Sequence, residues 1–260
     1  MTILEKIIAH KKKELVALKE NSTVRDLENN KLFSRETLSL SDSILNPVRT
    51  GIIAEFKRKS PSKGIINSQA QVGEVTLGYA RAGASGLSIL TDRKFFGGGC
   101  DDLVLARELN VIPILRKDFI IDEFHVIESK AAGADAILLI AAVLGKNQVL
   151  KLASLSHSLN MEVLLEIHSP LELNMVNNFV KIIGVNNRDL NTFRVNTKIS
   201  FDLADKIPEQ FTRISESGIS SPVVVRELRK AGYHGFLIGE IFMNNENPVS
   251  AFSDFAKEIL

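Results

Sequence analysis

Apolar and polar positions change their period repeatedly along the chain from residue 51 onward. Short apolar runs rich in β-branched residues, typical of buried strands, alternate with longer runs in which apolar residues recur at helical spacing. Eight short runs are therefore predicted to be strands: 52-IIAEF-56, 87-LSILT-91, 111-VIPIL-115, 135-DAILLI-140, 161-MEVLLEI-167, 180-VKIIGV-185, 211-FTRIS-215 and 235-GFLIG-239.

The segments between most of these strands have the pattern of amphipathic helices. Three of them end in glycine, the residue that most often stops a helix: 71-QVGEVTLGYARAG-83, 122-DEFHVIESKAAG-133 and 222-PVVVRELRKAG-232. Continuously apolar strands that alternate with helices indicate a parallel sheet covered on both faces. Eight such units predict an α/β fold, a closed (β/α)8 TIM barrel. An open doubly wound sheet is the alternative, but no GxGxxG follows the first strand.

Residues 1–50 stand before the eight units. We predict that they form an N-terminal helical extension of one barrel domain that spans residues 1–260. The extension begins with a helix over 2-TILEKIIAHKKKELVAL-18, and after a polar segment a short helix is predicted near 34-SRETL-38. The extension is too short and too polar to hold a core of its own.

The first strand ends in charges instead of a turn residue, in 51-GIIAEFKRKSPSKG-64. Strand residues alternate between the barrel interior and the helix side, so Ile53, Glu55 and Lys57 share the interior face. The same alternation brings further polar side chains to the interior at the ends of four other strands: Lys117, Glu166, Asn186, Arg188 and Glu216. Active sites of this fold lie at the carboxyl ends of the strands, which predicts one shared site.

Composition limits the expected partners, location and kinds of site. The chain has 260 residues with 32 Lys and Arg against 31 Asp and Glu, so neither nucleic acid nor an anionic membrane is an expected partner. The single cysteine, Cys100, permits no internal disulfide and predicts a cytoplasmic protein. The longest apolar run, 136-AILLIAAVL-144, is far shorter than a membrane span. The five histidines show no metal-ligand spacing.

The candidate site contains lysines, an arginine, glutamates and an asparagine, without a Ser–His–Asp set. This favours general acid–base work on an anionic substrate. Phosphate is predicted at 215-SESGI-219 and 238-IGEIFM-243, after strands seven and eight, where Gly218 and Gly239 let the backbone approach closely. Ordinary turn glycines are the alternative at both places. The run 97-GGG-99 is predicted to be a flexible loop with the potential to act as a lid.

Taken together, the motifs resemble those of the indole-3-glycerol phosphate synthase family over nearly the whole chain and in the family's order. The N-terminal ILEKIIAHKKKEL also looks like the extra helix of that family. The resemblance rests on 54-AEFKRKSPSKG-64, 89-ILTDRKFFGG-98, 114-ILRKDFIID-122, 165-LEIHS-169, 184-GVNNRDL-190, 215-SESGI-219 and 237-LIGEIFM-243.

The resemblance implies an activity in tryptophan biosynthesis, with 1-(2-carboxyphenylamino)-1-deoxyribulose 5-phosphate as substrate. The substrate closes into the indole ring and loses CO2 and water, without a cofactor or metal. By the same resemblance, Lys117 is the general acid and Glu166 the general base. Glu55, Lys57 and Asn186 orient and stabilise. The residues implied in binding are Ser60, Phe119, Arg188, Glu216, Ser217, Gly218 and Gly239.

Two departures from the family pattern bear on these roles. Glu240 stands where some members have a small hydroxyl residue, and strand alternation predicts that it faces the helix layer or solvent, beside a lysine or arginine. The chain has no tryptophan, and Ile7 or Ile8 is expected where some members place an aromatic residue of the extra helix.

Three other interpretations remain open. The chain could be a sugar-phosphate isomerase with a Cys and Asp pair, an aldolase with a Schiff base on Lys117, or a barrel that only binds phosphorylated ligands. A closed barrel leaves no open strand edge, which predicts a monomer.

Overall fold

The computed structural model describes residues 1–260, in which eight parallel strands close into a barrel. Each strand pairs with its neighbours in chain order, and β8 pairs with β1. The strands are β1 Ile52–Phe56, β2 Gly86–Leu90, β3 Ile114–Lys117, β4 Ala136–Ile140, β5 Glu162–Ile167, β6 Ile182–Asn186, β7 Thr212–Glu216 and β8 Gly235–Ile238. The barrel and all eight predicted strands are confirmed, with small shifts at the ends.

Helices cover the outside of the barrel, as the helical patterns predicted. They are α1 Ile3–Asn21, α2 Val24–Glu28, α3 Leu40–Leu45, α4 Val72–Arg81, α5 Arg93–Phe96, α6 Cys100–Leu109, α7 Glu123–Ala131, α8 Lys146–Ser158, α9 Lys198–Ala204, α10 Pro222–Lys230, α11 Glu240–Met243 and α12 Pro248–Lys257. A 3-10 helix spans Pro170–Met175, and a two-stranded hairpin pairs Lys59–Ser60 with Gly64–Ile65.

The predicted helix near residues 34–38 is wrong. The chain forms α2 before this segment and α3 after it. Helix α3 begins where the Ser39 side chain accepts a hydrogen bond from the Asp42 backbone N–H, which caps its first turn. Residues 34–38 instead form neither helix nor strand, and the backbone N–H of Leu38 donates to Asp135, just before β4, at 2.8 Å.

The third strand begins later than its apolar run suggested. Val111 is 89% exposed, and the carbonyl of Pro113 accepts a hydrogen bond from Leu87 just before the strand starts. The strand instead continues through Arg116, whose guanidinium donates to Thr91 at 3.0 Å and to Ser129 at 3.1 Å. The strand therefore extends beyond the predicted end at residue 115 and includes a buried arginine whose guanidinium is hydrogen-bonded.

Two apolar cores follow from strand alternation. The larger core lies between the strands and the surrounding helices. The smaller core fills the barrel interior and includes the residues that set the phase of the predicted site: Ile53, Leu115, Leu164, Ile182 and Ile214. Leu40 and Ile44 of α3 join this interior core beside the first residues of β2 and β8, so α3 closes the amino-terminal end of the barrel.

The extension reaches the opposite end of the barrel through α1. Lys11 of this helix is buried, and its Nζ lies 3.2 Å from Asp92 Oδ2 and 3.0 Å from Asp118 Oδ1. Asp92 lies two residues after the end of β2, and Asp118 directly follows β3, so both are at the carboxyl ends of the strands. Burial opposes the charge of Lys11, but the two aspartates outweigh it and raise the pKa of the ammonium above its usual value. The ion cluster thus fixes α1 across the end where the site was predicted.

Candidate active site

A cavity of about 300 Å³ opens at the carboxyl ends of the barrel strands. Every residue predicted for the site from the sequence lines it. These residues are Glu55, Lys57, Ser60, Lys117, Phe119, Glu166, Asn186, Arg188, Glu216, Ser217, Gly218 and Gly239. The in-phase polar residues of five strands are therefore brought together, which is the geometry that the strand alternation predicted.

The centre of the cavity holds a cluster of buried charges. Lys117 Nζ lies 2.9 Å from Glu166 Oε2 and 3.2 Å from Glu216 Oε2. A second pair joins Lys57 Nζ to Glu55 Oε1 at 2.8 Å. The carboxylates of Glu166 and Glu216 are almost fully buried, and burial strengthens each interaction relative to water.

The two glutamates around Lys117 differ in their affinity for protons. Burial raises the pKa of Glu216 to about 8, with repulsion from Glu166 and Glu55 acting in the same direction and Lys117 acting against it. Burial alone would also raise the pKa of Glu166, but Lys117, His168 and Asn186 outweigh it and lower that pKa. Lys117 is closer to Glu166, so at neutral pH Glu166 carries the negative charge while Glu216 largely retains its proton.

The three glutamates together act on Lys117. Burial opposes the lysine's charge, but attraction to Glu166, Glu216 and Glu55 raises the pKa of its ammonium group above the usual value. Lys117 is therefore a charged proton donor in the resting pocket. A Schiff base needs the free amine, so this arrangement disfavours the aldolase interpretation.

Two glycines make room for the glutamates. A Cβ on Gly184 of β6 would lie 2.2 Å from Glu216 Oε1, and a Cβ on Gly239 would lie 2.7 Å from the Cβ of Glu55. Each glycine is on, or directly after, the strand next to the one that carries the glutamate. A side chain at either place would push a carboxylate out of the cluster.

The backbone after β7 turns sharply into the cavity. Ser217 and Gly218 both have a left-handed conformation, with φ of 64° and 75°. Gly239 begins α11 after β8, and Ser60 lies across the cavity in the hairpin after β1. The hydroxyl of Ser60 accepts a hydrogen bond from the backbone N–H of Lys63 at 3.2 Å and lies 3.4 Å from the hydroxyl of Ser62.

The predicted orientation of Glu240 is wrong, although an arginine and a lysine do lie beside it. Glu240 lines the cavity and pairs with Arg188 Nη2 at 3.2 Å, and Lys63 Nζ lies at 3.8 Å. Strand alternation fails at this position because β8 ends at Ile238 and Glu240 is already the first residue of α11. The carboxylate therefore lies at the cavity mouth, paired with the arginine that the family resemblance implies in substrate binding.

Sequence reasoning missed Ile3, Leu4 and Phe96, which line the cavity. Ile3, Leu4 and Ile7 of α1 form an apolar wall with Phe96 and Phe119. Ile7 was expected there, whereas its alternative Ile8 does not line the cavity. The amphipathic pattern of α1 was a usable signal for a buried face, but it does not reveal which part of the barrel that face covers.

Other candidate features lie away from the chemistry. Cys100 does not line the cavity, and burial raises the pKa of its thiol to about 12, so it is a poor candidate for the Cys–Asp pair of an isomerase. The glycines at 97–99 form a packed turn between α5 and α6, because a Cβ on Gly98 would collide with the carbonyl of Leu90. None of the His, Cys, Asp and Glu side chains are grouped in threes or more as metal ligands. No helix has both the length and the apolar character to cross a membrane.

The barrel and the charged pocket at its carboxyl end define an enzyme of the (β/α)8 class. Comparison with known families is more specific, since the indole-3-glycerol phosphate synthase family matches residues 4–255. The chain belongs to this family.

Relatives that carry the family's name cover nearly the whole chain. An indole-3-glycerol phosphate synthase of Bacteroides thetaiotaomicron is 48% identical over 263 residues, which is 99% of this chain and 98% of the relative. Those of Laribacter hongkongensis and a Polaromonas species are 40% and 39% identical, and each alignment covers at least 95% of both chains.

Solved structures with little sequence similarity share the fold. A thiamine phosphate pyrophosphorylase from Pyrococcus furiosus has a TM-score of 0.59 at 13% identity, over 85% of this chain and 98% of its own. A structure described as native KDPGal has a TM-score of 0.56 at 12% identity, over 80% of this chain and 91% of its own.

Family membership defines the reaction. The enzyme is a carboxy-lyase of tryptophan biosynthesis that converts 1-(2-carboxyphenylamino)-1-deoxyribulose 5-phosphate to indole-3-glycerol phosphate. Its substrate is a phosphorylated small molecule, as the sequence predicted.

Proposed function

We propose that Lys117 and Glu166 carry out the ring closure as a general acid and a general base. The observation that carries this proposal is the distance of 2.9 Å between Lys117 Nζ and Glu166 Oε2 at the centre of the cavity. The ring carbon that bears the substrate carboxylate attacks the ketone carbon, and Lys117 donates a proton to the ketone oxygen as negative charge develops there. Glu166 accepts a proton in the steps that follow, in which CO2 and water leave.

The charge state of the cluster supports this division of work. Lys117 is protonated and can act as the acid, and Glu166 is ionised and can act as the base. Glu216 holds a proton at neutral pH and so leaves Lys117 to interact mainly with Glu166. Groups of one pocket whose pKa values are pushed apart divide acid and base duties in this way.

The neighbouring residues are proposed to orient and bind the substrate. Glu55, Lys57 and Asn186 hold the reacting part, and Lys57 and Arg188 lie near the substrate anions. The apolar wall that includes Phe119 and Ile7 is suited to the aromatic ring of the substrate, because it gives a planar apolar group a dry surface. The remaining roles are proposed as follows: Glu216 lines the centre of the pocket, and Ser60, Ser217, Gly218 and Gly239 at the rim hold the phosphate.

The proposal also covers the domain organisation, oligomeric state, location and partners of the protein. We propose that residues 1–260 act as one barrel domain with its helical extension, as a monomer in the cytoplasm and without a nucleic-acid partner. The closed barrel and the near-zero net charge support this state. Light scattering across a range of concentrations tests it, and a mass of twice 28.7 kDa would contradict the monomer.

The catalytic assignment is tested with Lys117→Met, Glu166→Gln and the double variant. Each single change should lower kcat by roughly 10²-fold or more, the usual contribution of an acid–base group. The double variant should lose much less than the product of the two single losses, because the residues act in one reaction sequence. The chain has no tryptophan, so indole fluorescence of the product can be followed with little protein background.

Lys146→Met is the matched control, because this lysine is exposed on α8 and does not line the cavity. It should leave kcat unchanged. A Lys117→Met variant that keeps kcat within a few-fold of the parent would show that another group supplies the proton. Borohydride should trap no substrate on Lys117, since the proposal involves no Schiff base.

A further inference from the structure

His168 is a half-buried histidine beside the proposed base. It follows β5 and lies two residues after Glu166, on the same side of the strand. Its Nε2 lies 3.7 Å from Glu166 Oε1, and its Nδ1 lies 4.0 Å from Glu172 Oε2. Both ring nitrogens are shielded from solvent, and neither has a hydrogen-bond partner. Buried polar atoms are nearly always bonded, so a ring held in this way needs an explanation.

The backbone around His168 is held firmly. Glu172 Oε2 accepts hydrogen bonds from the backbone N–H of His168 at 2.6 Å and of Ser169 at 3.0 Å, at the start of the 3-10 helix Pro170–Met175. The same carboxylate faces Nδ1 of the ring. The imidazole therefore lies between two carboxylates, one inside the cavity and one outside it.

The two oxygens of Glu166 have different neighbours. Oε2 accepts a hydrogen bond from Lys117, whereas Oε1 is the oxygen nearer to His168. Burial favours the neutral acid, but Lys117 and then His168 favour the charged form, and the net effect lowers the pKa of Glu166. The imidazole thus acts on the oxygen that Lys117 does not hold.

We propose that His168 is a positioning residue that holds the Glu166 carboxylate in its orientation through Oε1. This inference rests on the proposed role of Glu166 as the base. His168 does not line the cavity, so its effect passes through Glu166 and not through the substrate.

Other charged groups lie around Glu166 and His168 and contribute to the pH dependence of the site. Glu166 is faced by Lys117 from β3 and by Glu216 from β7, and Asn186 of β6 contributes a neutral hydrogen bond. His168 is faced by Glu172 from the 3-10 helix and by Asp189 from the loop after β6. Glu55 of β1 acts on both Lys117 and Glu216. All of these groups remain unchanged when only His168 is replaced.

The test compares His168→Phe, His168→Gln and the parent by kcat and KM across pH. Phenylalanine keeps a ring of similar size without nitrogens, and glutamine keeps a hydrogen-bond donor without the ring. His168 contributes to the lowered pKa of Glu166, so its loss should move the acid limb of the kcat profile to higher pH in His168→Phe. KM should stay within about twofold, and His168→Gln should recover part of kcat through its donor. His157→Phe, an exposed histidine of α8, is the control and should match the parent.

The outcomes distinguish the positioning role of His168 from the proposed role of Glu166 as the base. A parent-like acid limb in a folded His168→Phe, judged by its Tm, would overturn the inference, as would an equal loss in both variants at every pH. If Glu166→Gln itself proves harmless, the assignment of the base fails instead. A severe Glu166→Gln together with an unshifted His168→Phe leaves the base in place and removes only the role of His168.

Discussion

Gly239→Ala is a small change with a large expected effect. A Cβ at this position would lie 2.7 Å from the Cβ of Glu55 and 2.9 Å from its Oε1. Carbon atoms in contact are about 3.5–4.0 Å apart, so Glu55 or the backbone must retreat by about 1 Å. Gly239 has a negative φ of −140°, so an alanine needs no left-handed backbone and the effect is steric.

The expected loss follows from that displacement. Moving Glu55 disturbs its 2.8 Å pair with Lys57 at the centre of the pocket. A misplacement of about 1 Å in a catalytic constellation costs up to about 10²-fold, and overpacking a well-filled site costs about 1–3 kcal/mol of stability. We therefore expect kcat/KM to fall by about 10- to 100-fold, with kcat carrying most of the loss, and Tm to fall by a few degrees.

Steady-state kinetics and thermal melts check this prediction, with Gly145→Ala as the control. A Cβ on Gly145 would meet no other atom within 4 Å, so alanine there should change neither kcat nor Tm appreciably. If Gly239→Ala raised KM while leaving kcat intact, the added methyl would be excluding the phosphate and not displacing Glu55. Parent-like values of both constants would refute the steric argument altogether.

The remaining predictions concern stability. Asp135 is fully buried and bonds Arg107 at 2.8 Å and Arg35, so Asp135→Asn should leave Arg107 without its charge partner and cost about 3 kcal/mol or more in urea unfolding. The exposed Asp254→Asn should cost less than about 1 kcal/mol, and an equally small loss at Asp135 would contradict this account. The pKa of Glu216 is raised to about 8, so folding takes up a proton above the ordinary carboxyl pKa, and stability should fall as pH rises through about 8. Glu216→Gln should lack that part of the fall in melts between about pH 5 and pH 9, and an unchanged slope would count against the raised pKa.

The strand alternation carried most of what the sequence could predict. In β1, β3, β5, β6 and β7 the apolar interior residues and the polar rim residues share one phase, because a strand has a period of two and a barrel has one interior. Closure of the barrel then brings the rim residues of these five strands together, so no further sequence signal is needed to predict that they share a site. This is why Lys117 and Glu166, 49 positions apart in the chain, could be assigned to one pocket from their strands alone.

The errors lie where that periodicity ends. Glu240 was given the direction of a strand residue, but α11 begins there and turns its carboxylate toward Arg188. The start of β3 was placed too early because Val111 looks like a strand residue, although it is exposed. Contacts between distant elements were also beyond reach, since no local pattern in α1 indicates that Ile3 and Leu4 reach the pocket.

His168 shows a signal that was present and was not used. It continues the alternation of Leu164 and Glu166 by one further step, so its phase pointed to the pocket side of the strand. The histidines show no metal-ligand spacing in the sequence, so His168 was not counted among the site residues. A histidine can nevertheless affect a reaction without binding a metal. The orphaned ring nitrogens, which only the three-dimensional arrangement reveals, are what make its role testable.

The charge balance of the pocket links these observations to the substrate. With Glu216 protonated at neutral pH, Lys57 and Lys117 balance Glu55 and Glu166, so the central cluster is close to neutral. A neutral centre neither attracts nor repels the anionic groups of the substrate, and it leaves the proton of Lys117 available to the ketone. On the proposed assignment the anionic groups bind at the rim, where Arg188 already has a carboxylate partner in Glu240. A substrate anion proposed to bind Arg188 would therefore compete with Glu240, and that competition requires a carboxylate at this position.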